Sequence, residues 1–161
     1  MVVSFVKPAL AEWELGGAVA SSIEAKDGYG YKLQGAEIYA NIFRVRNDNF
    51  YQNLYVGFLE FEDTHYELGN GLRAEVSRYF FPVALGTTYY FKEVYKYGVF
   101  VKANAGVIYE KMETIETWFW GTHKGRSETG LILSFGGGMD FGPINIAGDI
   151  NIGHLAWVSF K

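Results

Sequence analysis

From Ile144 to Phe160 the chain changes character residue by residue: Ile144, Ile146, Ile150, Ile152, Val158 and Phe160 fall on one side, and Asn145, Asp149, Asn151 and Ser159 on the other. A period of two is the mark of an extended strand, whose successive side chains point to opposite faces. Leu131, Leu133, Phe135, Met139 and Phe141 repeat the order against Ser134 and Asp140, and the two runs meet at Gly142-Pro143. A hairpin of long strands, each with one oily and one polar face, points to a barrel whose apolar side faces lipid.

The same order returns along the chain. Val99, Val101, Ala103, Ala105, Val107 and Tyr109 oppose Lys102, Asn104, Gly106 and Glu110. Leu72, Ala74 and Val76 oppose Arg73, Glu75 and Ser77, while Trp13, Leu15 and Val19 oppose Glu12, Glu14 and Gly16. Stretches 31–45, 51–62 and 83–91 are strand-like in composition. Turn residues stand at Lys26-Asp27-Gly28, Asn47-Asp48-Asn49, Asp63-Thr64-His65, Phe81-Pro82 and Gly142-Pro143, and a polar loop is expected over 121–128. The prediction is an all-β fold: a closed antiparallel up-and-down barrel of about eight strands, transmembrane, which is the smallest size typical of that class.

A chain of 161 residues suits one domain, placed here at 12–161. Residues 1–11 read as a signal-peptide remnant, with Ala9-Leu10-Ala11 as its small-residue cleavage site, or as a frayed terminus. A net charge of -4 supplies no basic stripe, which argues against a nucleic-acid partner. The absence of cysteine removes disulfides and thiolate chemistry. No apolar run is long enough for a spanning helix, so a bilayer would have to be crossed by a closed barrel. His65, His123 and His154 have no metal-ligand spacing, and no cofactor is expected.

Alternation alone does not say which face is inside, because a soluble barrel buries its apolar face and a membrane barrel exposes it. Three features favour lipid. The apolar faces stay free of charge over the length a tilted spanning strand needs. The opposite faces are rich in Gly and Ser and carry charges of both signs, predicting a polar lumen network of Glu14, Arg73, Glu75, Lys102, Asp140 and Asp149. Glu75, Asp140 and Asp149 include a conceivable acid/base pair, yet Arg73 and Lys102 suit structural ion pairing instead. Finally, Trp13, Trp118, Phe119, Trp120, Trp157 and Phe160 sit near segment ends, as interfacial aromatics do.

On two segments the chain resembles the small outer-membrane β-barrel family of Gram-negative bacteria. Tyr97-Gly98-Val99-Phe100-Val101-Lys102-Ala103-Asn104-Ala105-Gly106-Val107 is similar to a strand with a small-residue lumen face, and Phe135-Gly136-Gly137-Gly138-Met139-Asp140-Phe141 to the Gly-rich strand before the family's last turns. The resemblance implies residence in the bacterial outer membrane. It also implies membrane lipids, lipopolysaccharide among them, and other membrane proteins as partners. In the family the short turns lie on the side of the termini. With the strands divided as above, the 121–128 loop falls on that side, unless Pro82 lies within a continuous strand or a closing strand is missing. A weaker resemblance is to outer-membrane lipid A deacylases, which carry a general-base His and a nucleophilic Ser two residues on. Here His154 is followed at that place by Ala156, so no catalytic residue is assigned. Three readings follow: a structural or adhesive outer-membrane barrel, a lipid-modifying barrel enzyme, and a soluble barrel that binds an apolar ligand.

Overall fold

The computed structural model describes residues 14–26, 32–47, 49–69, 72–91, 97–117, 122–141, 144–153 and 155–161. Eight strands follow one another around a closed antiparallel barrel. They are β1 (Glu14–Lys26), β2 (Lys32–Asn47), β3 (Phe50–Gly69), β4 (Leu72–Tyr90), β5 (Tyr97–Thr117), β6 (Thr122–Phe141), β7 (Asn145–Ile152) and β8 (Ala156–Phe160). Closure is made where Val19 to Ser22 of β1 meet Trp157 to Phe160 of β8.

Eight strands were expected, but two of the expected boundaries are wrong and cancel in the count. Phe81-Pro82 is not a turn: β4 runs through it, with Pro82 opposite Ile108 of β5. A proline lacks the N–H that a ladder needs on both sides. On the β3 side the pairing passes from Val56–Val83 to Leu59–Phe80, leaving Pro82 beside Gly57 in a gap where no N–H is called for. Conversely, 144–160 is two strands, since Ile152 pairs with Ala156 around a turn in which the Gly153 N–H bonds the Leu155 carbonyl at 3.3 Å. That pairing sets even residues against even, so the alternation passes through the turn unchanged.

Two further expected loops are strand. Asp63-Thr64-His65 lies in β3 beside a register shift between Phe61 and Thr64, and 122–128 belongs to β6. With β4 continuous, the β5–β6 connection lies at the end opposite β1's start and the β6–β7 connection at the end where β1 starts, so 122–128 no longer falls on the side of the termini.

The wall sorts its side chains by the period-two rule. Leu15, Val19, Ile38, Leu85, Val101, Leu133, Ile146 and Phe160 point outward and are exposed, while the opposite parity fills the interior. On β5 the outward residues are apolar from Val99 to Tyr109. At about 3.4 Å per residue and a tilt of about 40°, that run makes a belt roughly 26 Å tall.

Rings edge the belt on β3–β5. Phe50, Tyr89 and Phe91 form the row nearer β1's start, with centroids 4.8 and 5.4 Å apart, and Phe58, Phe81 and Tyr109 form the far row at 5.1 and 6.0 Å. Among the described residues these rows are built from Phe and Tyr. Trp13, Trp118, Phe119 and Trp120 lie outside the described residues. Trp157 is a correction: its odd parity turns it into the lumen, where it is 1 % exposed. Phe160 does face outward.

Candidate functional site

The interior of so narrow a barrel must be filled by its own side chains. It is filled in layers. Near β1's start lie Tyr51, Tyr90, Phe100 and Ala147, with the Tyr90 hydroxyl donating to the Asp140 carboxylate. Toward the other end Leu59, Phe61, Phe80, Ile108, Ile132 and Trp157 close the bore, Phe80 lying 5.7 Å from Trp157 between ring centres. Between the two apolar layers sits charge.

Asp149 is the centre of that middle layer. It is 1 % exposed and forms ion pairs with Lys102 Nζ at 3.0 Å and Lys161 Nζ at 2.8 Å. Lys161 Nζ also reaches Tyr55 Oη at 3.3 Å and the Glu37 carboxylate at 3.9 Å, and it lies 4.3 and 4.4 Å from the ring centres of Tyr39 and Tyr55. The Tyr55 hydroxyl donates to Glu37. Two lysines thus face two carboxylates in a space shielded from water, where each charge needs its partner.

Gly136 makes room for this arrangement, since a Cβ there would strike the Asp149 carboxylate and the Gly148 carbonyl. Below the charged layer Glu14 ties three strands: it accepts from Asn41 Nδ2 at 3.0 Å and Asn145 Nδ2 at 2.6 Å, and Asn53 Nδ2 in turn donates to Asn41 Oδ1 at 2.9 Å. The space left among these groups is about 20 Å³, the volume of a single water.

Of the six predicted lumen residues, Glu14, Lys102, Asp140 and Asp149 are brought into the bore. Glu75 is not. Its side chain is 43 % exposed on the outer wall, 4.0 Å from His65, while Ala74 and Val76 point inward. This part of β4 lies beyond the belt, where the outside of the wall meets water and polarity is reversed. The side chain of Arg73 lies outside the described residues, and so does His154.

Sequence reasoning missed Glu37, Tyr39, Tyr55 and Lys161. Glu37 and Tyr39 share the parity of Gly35 in a strand whose pattern is irregular, and Lys161 carries on the odd parity of Trp157 and Ser159. Ser159 itself is buried, accepting from Trp157 Nε1 at 3.1 Å and Asn151 Nδ2 at 3.3 Å, so it offers no accessible nucleophile. Among the described residues no group of three acids or histidines is placed to hold a metal ion.

At the end away from β1's start the wall is uneven. β7 stops at Ile152, opposite Leu133, yet β6 continues to Thr122. β3 leaves β2 at Phe61 and continues to Gly69. The upper parts of β3, β4, β5 and β6 therefore stand as a four-stranded sheet, rising roughly 18 Å above the belt on the tilt used above. Among the described residues, 122–132 of β6 pair only with β5 and the part of β3 beyond Phe61 only with β4, so both edges of this sheet are open. Its outer face carries Glu60, Glu62, Asp63, Glu75 and Glu113 with His65 and Lys111. Ser77 Oγ donates to Asp63 at 2.5 Å, and Lys111 Nζ to Glu113 at 2.6 Å.

No protein-family model matches the chain, and no curated protein matches it in sequence. Among solved structures it is similar to Ail, the attachment invasion locus protein of Yersinia pestis, in a crystal structure with the heparin analogue sucrose octasulfate. The two are 18 % identical over 93 % of this chain and 94 % of that one, with a TM-score of 0.60. At that identity the likeness carries the fold: a closed eight-stranded antiparallel barrel, as the resemblance to small outer-membrane barrels implies.

Proposed function

We propose that this chain is a non-conducting barrel of the bacterial outer membrane that works in adhesion through the sheet projecting beyond its belt. The observation that carries the reading is the pairing of a sealed bore with an open sheet edge. An apolar belt between two aromatic rows fits a bilayer. The layers around Trp157 and around Tyr90 leave no path for ions. What remains available to a partner is the projecting sheet, whose β6 edge offers a row of unpaired N–H and C=O groups to an extended segment of another protein. The similarity to a protein named for attachment supports the same role. Lipids, lipopolysaccharide and other membrane proteins are the partners this reading implies.

The soluble reading requires Ile146, Val101 and Leu133 to be enclosed, and all three are exposed. The test has two parts. The purified chain should fold only in micelles or vesicles, migrate faster on a gel before boiling than after, and leave a planar bilayer silent. Shortening the β5–β6 hairpin by removing 114–124 should keep folding and insertion while abolishing attachment of bacteria displaying the chain to protein-coated surfaces. Attachment that survives the shortening would overturn the adhesive role.

A further inference from the structure

Resting on the membrane-spanning reading, we propose that the outer wall of β3–β6 holds one glycerophospholipid of the leaflet on the side of β1's start. A groove of about 480 Å³ opens there, floored by Ala103 and Ala105 and walled by Leu85, Leu133 and Phe135. At its lower end Gln52 and Thr87 stand directly opposite each other on β3 and β4 and face outward. Among the described residues neither side chain has a hydrogen-bond partner. The other outward polar pair at the belt, Gln34 and Ser21, satisfies itself at 3.1 Å. An amide and a hydroxyl turned toward hydrocarbon without partners call for an acceptor from outside the chain.

Their depth names that acceptor. Gln52 and Thr87 lie two residues inward of Phe50 and Tyr89, the row nearer β1's start. At about 3.4 Å per residue and the strand tilt, that is roughly 5 Å into the belt, where the glycerol ester carbonyls of a phospholipid lie. An ester oxygen would accept from Gln52 Nε2 and Thr87 Oγ1, and the attached acyl chain would run over Ala103 and Ala105. The width excludes a protein helix. Leu85 and Leu133 stand two strand spacings apart, about 10 Å before their own side chains are subtracted, whereas a helix needs about 10–12 Å.

The test is native mass spectrometry from detergent micelles with added palmitoyl-oleoyl phosphatidylethanolamine. The wild type should retain one lipid per barrel. Q52L/T87V should need roughly tenfold more lipid for half occupancy, from the loss of two hydrogen bonds. A105F should block retention by filling the floor. The ether-linked analogue, which has no ester carbonyls, should bind the wild type as weakly as the ester lipid binds Q52L/T87V. Equal retention by all three proteins overturns the site, and so does a dimer that A105F dissociates, since the occupant is then a second copy. If the chain folds in buffer without amphiphile, the membrane reading itself has failed; if it folds only in micelles but shows equal retention, only the lipid site has failed. Gel migration before boiling confirms that each variant is folded.

Discussion

Changing Asp149 to Asn removes the carboxylate that Lys102 and Lys161 share while keeping its shape. In the folded barrel Lys161 is then left with Glu37 at 3.9 Å, and Lys102 loses its ion pair. Removing one partner from a buried ion pair costs about 3–5 kcal/mol, because the remaining charge stays desolvated. The Lys102 side chain, 16 % exposed against 3 % for Lys161, retains some hydration, which places the expected loss nearer 3 kcal/mol. With a urea slope of about 2 kcal/mol per molar, the unfolding midpoint should fall by roughly 1.5 M. The measurement is urea unfolding in vesicles, read by the gel shift between folded and unfolded forms. The quadruple change E37M/K102M/D149L/K161M supplies the counter-test, because Glu37 would otherwise be left buried without the cation it faces. Replacing the whole ionic group by apolar side chains of similar volume should bring stability back to within about 1 kcal/mol of wild type or above it. A D149N midpoint within roughly 0.3 M of wild type, about the resolution of such a titration, would refute the reasoning that these charges are shielded from water.

The belt itself is tested by I150R, which should cost about 2–4 kcal/mol in vesicles; on a water-facing wall the same change should stay within about 0.5 kcal/mol, as urea unfolding would show. Trp157→Ala should lose about 3–5 kcal/mol by leaving a cavity, yet single-channel recording should stay silent because Tyr51, Tyr90 and Phe100 still close the bore. G136A should destabilise by about 1–3 kcal/mol, since the new methyl meets the Asp149 carboxylate and backbone, while G125A, with open space at its Cβ, should change nothing measurable by the same assay.

Much of the wall was legible because period-two alternation is local. Each residue's face follows from its neighbours, so Ile146, Val101 and Leu133 could be set on one face and Lys102 and Asp149 on the other without knowing any strand's partner. The same property hid the boundaries. The β7–β8 turn preserves parity and leaves no trace in the pattern, and Pro82 looks like a break until the ladder shows a gap that accepts it. Glu75 was misplaced because alternation gives two faces without saying which is wet, and the wetted face changes where β4 rises beyond the belt.

Sequence alone therefore determined the fold class, the two-faced wall and the charged character of the bore. It did not determine which charges meet. Lys161 reaches Tyr55, Glu37 and Asp149 across the lumen only because closure of β8 on β1, with strands tilted and staggered, brings residues distant in the chain to one height. That stagger is a property of the closed ring, shared among eight ladders, and no single strand encodes it. The projecting sheet has the same origin: β6 is an open edge only because β7 is shorter.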